Sequence, residues 1–147
     1  MKNSISLILI LNFYFPYFSQ NPVTWETQYK KEENKIIFDA IIDKGWHLYA
    51  VNVPVPNEGP LPTIFEFHSN SSYSIIGEIQ QEKPKIKFDK GFGVRIAYYE
   101  NKARFIQQIN TNLDSAKVSG EIKFMTCNEE KCLPFNYKFL VKINHQN

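Results

Sequence analysis

The chain has 147 residues, and 17 basic side chains stand against 15 acidic ones, so its formal charge of +2 supplies no strong field for nucleic acid or an anionic membrane. Two cysteines and three scattered histidines lack the paired spacings and the fourth ligand of a zinc site. With no phosphate-binding glycine loop, no Ser-His-Asp spacing and no paired-carboxylate motif, neither metal nor cofactor is expected.

Residues 1–19 carry one charge, Lys2, and then an apolar run from Ile5 to Phe18 broken by Ser6, Asn12 and Pro16. This is the layout of a secretory signal peptide, although Tyr17 is bulkier than the usual residue three before a cut after Ser19. The run is short for a membrane span of about 20 apolar residues, and Asn12 and Pro16 interrupt it, so cleavage is expected over a retained anchor helix. The segment holds no cysteine for lipid attachment. Residues 20–147 then form the mature chain, a length suited to a single domain with its own core. Export implies an oxidising compartment, in which an even cysteine pair is expected to be a disulfide at rest.

Ten short apolar or alternating runs follow: Val23 to Tyr29, Lys35 to Ile42, Trp46 to Val51, Thr63 to His68, Tyr73 to Ile79, Lys85 to Phe88, Val94 to Tyr99, Ala103 to Ile109, Val118 to Met125 and Phe135 to Ile143. Turn-forming stretches such as KEEN, DKG, SNSS, DKGFG and NTNLDS separate them. β-Branched and aromatic residues fill the runs, and no segment keeps a 3.6-residue apolar period over a helical length, so an all-β antiparallel sandwich is predicted. Pro54, Pro56, Pro60 and Pro62 cannot continue a central strand, which makes 52–62 a crossover or edge loop.

Both cysteines fall in the last two runs, separated only by Asn128, Glu129, Glu130 and Lys131. Upstream, Ile122 and Phe124 alternate with Glu121 and Lys123; downstream, Phe135, Tyr137, Phe139, Val141 and Ile143 alternate with Asn136, Lys138, Leu140 and Lys142. Two half-buried strands joined by a short polar loop make a hairpin, whose facing Cα atoms lie about 4.5–5.5 Å apart, a spacing that suits a disulfide. Closing so short a loop contributes only about 2 kcal/mol on the chain-entropy account. The bond therefore reads as placed for access near a loop tip.

At this point the residues carry a resemblance. VTWETQY near the mature start, KGWHLYA at 44–50, GPLPTIFEF at 59–67, FDKGFG at 88–93 and MTCNEEKCLP at 125–134 resemble, in that order, the N-terminal periplasmic domain of the DsbD thiol:disulfide interchange family. The resemblance implies an immunoglobulin-like sandwich in the periplasm, or held at the membrane if the signal is retained. Its disulfide would take electrons from a thioredoxin-like donor domain, here expected on a separate membrane protein, and pass them to periplasmic disulfide-containing acceptors, among them disulfide isomerases and proteins of cytochrome c maturation. It also implies that Cys132, the second cysteine, forms the mixed disulfide, with Cys127 as the resolving thiol. Phe92 matches the aromatic of a cap loop, Asp89 the acidic residue near it, and His47 and Tyr49 a position pair that is usually aromatic and lines the cysteine pocket. The chain departs from the best-known members in having one residue fewer between the cysteines, and in having Lys90 and Gly91 between Asp89 and Phe92. Asp89 and Glu130 are both candidates for handling the thiol proton. The competing class is a non-catalytic secreted binding module in which the disulfide merely staples the hairpin.

Overall fold

A computed structural model describes residues 21–55, 57–111 and 113–144 of the protein. The expected signal segment lies outside the described residues. Strands form where β-branched and aromatic residues alternate with polar ones: β1 (Val23–Lys30), β2 (Lys35–Ile42), β3 (His47–Tyr49), β4 (Ile64–Phe67), β5 (Ser74–Gln81), β6 (Lys85–Asp89), β7 (Val94–Tyr99), β8 (Lys102–Asn110), β9 (Ser115–Cys127) and β10 (Cys132–Asn144). A single 3-10 turn, Lys31–Glu33, joins β1 to β2, and Asn34 closes it in the left-handed region at φ 50°.

Every pairing is antiparallel. One sheet runs β1-β2-β8-β5, and the other runs β10-β9-β3-β7-β6 with β4 also on β9. This is the predicted sandwich, and it has the immunoglobulin-like form. The long β9 organises the second sheet. β10 pairs with it from Ser115 to Cys127, while β3 and β4 share its other edge, β3 at Thr126 and Cys127 and β4 from Gly120 to Lys123. The proline-rich loop therefore does not cross between the sheets; it leads into β4, which among the described strands pairs with β9 alone. It leaves Ala50 and returns beside it, where the Thr63 N–H donates to the Ala50 carbonyl at 3.2 Å and the Thr63 hydroxyl to the Tyr49 carbonyl at 2.6 Å.

The period of two decides what is buried. Ile36, Phe38, Ala40 and Ile42 of β2, Ala103, Phe105 and Ile109 of β8, and Val118, Ile122 and Phe124 of β9 fill the space between the sheets. Trp25 sits among Phe65, Phe105 and Phe124 with ring centroids 5.5–6.0 Å away, geometry in which such pairs add about 0.5–1.5 kcal/mol beyond their area. Gly120 has no substitute in β9, because a Cβ there would stand 2.1 Å from the Glu66 carbonyl oxygen and 2.5 Å from the Phe139 ring. The buried amide of Gln107 is matched to an irregularity in β5, where the pairing with β8 shifts between Ile76 and Gln80. Its Nε2 donates to the Ile76 carbonyl at 3.0 Å.

At one end the second sheet is apolar on both faces. Leu48, Ala97 and Tyr99 point into the sandwich, whereas Tyr49, Ile96 and Tyr98 turn outward and bury Cys127 in a second, smaller cluster flanked by Val94 and Met125.

Candidate functional site: a disulfide on the outer face of the larger sheet

Cys127 and Cys132 are directly opposite in the β9–β10 register, with Cα atoms 4.0 Å apart, and they are bonded. One step further on, the Asn128 N–H donates to the Lys131 carbonyl at 2.9 Å, which makes the cysteines a closely spaced, non-hydrogen-bonded pair. The loop tip is held by Asn128, whose Oδ1 accepts the backbone N–H groups of Glu130 and Lys131, both at 2.9 Å. Cys127 shares its face with Met125, Lys123 and Glu121, and Cys132 with Pro134, Asn136 and Lys138, so both sulfurs lie on the side of the sheet away from the main core. Their surroundings nonetheless differ. Cys127 is 2% exposed within the outer cluster, while Cys132 is open to solvent.

The bond forms part of the wall of a cleft of about 720 Å³, and the six sequence-predicted residues, Cys127, Cys132, Phe92, Asp89, His47 and Tyr49, all line it. β3 places His47 opposite Cys127 across the sheet and sends Tyr49 to the same face. His47 Nε2 lies 3.0 Å from the Tyr49 hydroxyl, and its ring meets Tyr98 edge-on at 5.4 Å. Burial pushes the His47 imidazole toward the neutral form, and the nearby Lys87 ammonium adds to the effect, against opposing contributions from Glu100 and Asp89. Burial, with the charge of Asp89, raises the Tyr49 phenol well above its usual range and keeps it protonated.

The loop expected to act as a cap follows β6. Asp89 Oδ1 accepts the N–H groups of Gly91 at 2.9 Å and Phe92 at 3.2 Å, and the Gly93 N–H returns to the Asp89 carbonyl at 2.8 Å. Gly93 turns the chain at φ 72°, a conformation a side chain would resist. Phe92 is 38% exposed and stands edge-on to Tyr49 at 6.5 Å between centroids. Asp89 thus shapes the loop that presents Phe92. The proline-rich loop touches the same region, since Gly59 packs so closely that a Cβ would come within 3.0 Å of Val94.

Sequence reasoning missed Ile96 and Tyr98, which cover Cys127, and the charged rim of Lys44, Lys87, Glu100 and Lys131. The unbroken apolar run Ile96 to Tyr99 was the available signal, because a strand without alternation is covered on both faces. Lys87 Nζ lies 4.8 Å above the Tyr98 ring, and the Lys85 ammonium, 2.6 Å away, holds the Glu100 carboxyl below its usual range. A disulfide with one exposed and one buried cysteine is open to thiol-disulfide exchange from its exposed side.

The model of the family described as thiol:disulfide interchange protein DsbD, N-terminal, matches residues 18–143. Among solved structures, the chain is similar to the reduced N-terminal domain of DsbD from Neisseria meningitidis, with 15% identity, a TM-score of 0.60, and 84% of this chain and 86% of that one covered. It is also similar to a chain in the complex between the DsbD N-terminal and PilB N-terminal domains of the same organism, at 14% identity and a TM-score of 0.60, covering 88% of each. No curated protein matches the sequence. The structural likeness at such low identity speaks for the fold, and the family match over nearly all described residues speaks for descent: the chain belongs to the family of the N-terminal domain of the thiol:disulfide interchange protein DsbD.

Proposed function

We propose that residues 20–147 form an exported, periplasmic thiol-disulfide exchange domain. It takes electrons from a thioredoxin-like donor through Cys132 and passes them to disulfide-containing acceptors. The observation that carries this reading is the unequal burial of the two cysteines: Cys132 is exposed at the rim of the cleft, and Cys127 is 2% exposed beneath Tyr49, Ile96 and Tyr98. An incoming thiolate attacks Cys132 Sγ, the S–S bond breaks, and Cys127 leaves. The donor's second thiol then displaces Cys132 and releases the dithiol. Running in reverse on an acceptor, Cys132 attacks first and Cys127 resolves the mixed disulfide. The related Neisseria domain, found in complex with the PilB N-terminal domain, supports the idea that this fold docks a protein partner.

The test is trapping. Cys127→Ser with a free Cys132 accumulates a mixed disulfide when mixed with a thioredoxin-like domain whose own thiol has been activated, and Cys132→Ser does not. Non-reducing electrophoresis followed by mass spectrometry reads the adduct. Equal trapping by the two variants, or trapping by Cys132→Ser alone, overturns the assignment.

A further inference from the structure

The leaving or resolving sulfur, Cys127, is buried in an apolar cluster, and a bare thiolate is costly there. Its proton therefore needs a nearby acceptor whenever Cys127 attacks, and a donor whenever it leaves. We propose that His47 is that group, accepting the Cys127 proton in the resolving step and returning it in the reverse one. The inference deepens the exchange reading above and rests on it.

Three observations lead to His47. It is the residue paired with Cys127 in the β3–β9 register, so the two side chains project from neighbouring strands onto the same face, with Cβ atoms about 4.5–5.5 Å apart. It lines the same cleft as both cysteines. Its Nε2 is held 3.0 Å from the Tyr49 hydroxyl, which fixes the ring and links it to a protonated phenol. The groups around it bias it toward the neutral, proton-accepting form: Lys87 on β6 opposes a second positive charge, while Asp89 on β6 and Glu100 after β7 only partly offset the burial. Tyr98 on β7 meets its ring edge-on, and Lys44, Lys131, Glu129 and Glu130 stand around the same cleft.

The two carboxylates considered from sequence fit less well. Asp89 spends one oxygen on the N–H groups of Gly91 and Phe92, and Glu130 sits on the exposed hairpin tip.

The step balances as follows. Cys132 has attacked an acceptor disulfide and carries a mixed disulfide with one acceptor sulfur. The Cys127 S–H proton passes to His47, and the sulfur attacks Cys132 Sγ. The bond from Cys132 to the acceptor breaks, the acceptor thiolate departs with the electron pair, and the Cys127–Cys132 disulfide forms. The imidazolium gives its proton to the departing thiolate or to water.

The experiment uses the reduced protein and dithiobis(nitrobenzoate), which releases one coloured thiolate when Cys132 attacks and a second when Cys127 resolves. His47→Gln and His47→Phe, the latter keeping an aromatic ring beside Tyr49 and Tyr98, are expected to leave the first release unchanged and slow the second at least tenfold near neutral pH. The ratio of wild-type to variant second-step rates should peak above the imidazole titration, which burial holds below its usual range, and below the pH at which Cys127 ionises unaided. It should fall on the acid side, where His47 is protonated, and on the alkaline side, where Cys127 ionises without help. A wild-type second release in either variant overturns the proposal, as does an equal loss in Asp89→Asn. Because the reagent replaces the protein partner, this result does not depend on docking, and failure of the exchange reading shows separately in the trapping test above, as equal trapping by Cys127→Ser and Cys132→Ser.

Discussion

In the exchange reading proposed above, Phe92 is the residue expected to shield the disulfide. An exchange-ready bond in an oxidising compartment needs shielding from chance thiols, because exchange depends on access to the sulfur as well as on thiolate chemistry. Phe92 lines the cysteine cleft, rests against Tyr49 and stays 38% exposed, unlike Phe105 in the main core, which is fully buried. Asp89 holds the Phe92 backbone N–H, and Gly93 supplies the left-handed turn after it, so the loop presents the ring without burying it. Phe92→Ala is accordingly expected to speed reduction of the bond by glutathione. It should destabilise the fold by less than the roughly 3–5 kcal/mol typical of a buried phenylalanine. Alkylation followed by mass measurement gives the first quantity and a denaturant melt of the oxidised protein the second. Unchanged reduction together with a large stability loss would make Phe92 a packing residue instead.

At the scale of the element, the β9–β10 hairpin holds itself together without its disulfide. β9 is paired along its whole length with β10 and, on the other edge, with β3 and β4, and its inward residues Val118, Ile122 and Phe124 are buried in the core. Opening a bond that closes so short a loop costs about 2 kcal/mol, against a typical total stability of about 5–15 kcal/mol. The reduced domain should keep its far-ultraviolet circular dichroism and its cooperative melt. Global unfolding on reduction would instead favour the structural staple. The hairpin was also the most legible element in the sequence, because alternation across Ile122 to Ile143 sets both strands and their facing positions. The same alternation puts both cysteines in the outward, polar phase. The burial of Cys127 does not follow from this alternation, since Tyr49, Ile96 and Tyr98, which cover it, belong to β3 and β7.

For the whole molecule, the two sheets close one core, and the second sheet carries a further apolar cluster outside it that houses the site. The domain as proposed starts near Gln20 or Asn21 once the signal is removed. Intact-mass measurement of exported protein is expected to show loss of residues 1–19, and a mass retaining them would mean a tethered domain. The described strands begin at Val23, and the Val23 N–H donates to the Asn21 side chain at 3.1 Å.

By itself the sequence determined the strands, the sandwich and the hairpin with its cysteine pair, because period-two alternation, turn residues and short loop length are local properties that act before any tertiary contact. Among the described residues the ten predicted runs became ten strands, with the Trp46 to Val51 run shortened to His47–Tyr49. Placing His47, Tyr49, Asp89 and Phe92 beside the cysteines required a family resemblance, since nothing in their spacing relates them. Only the tertiary structure decided which strand lies against which. By seating β3 on β9, and β7 and β6 beyond it, the fold brings residues far apart in the chain onto one outer face, and their packing buries one cysteine while leaving the other open. That difference arises from non-local contacts, which no window of sequence contains.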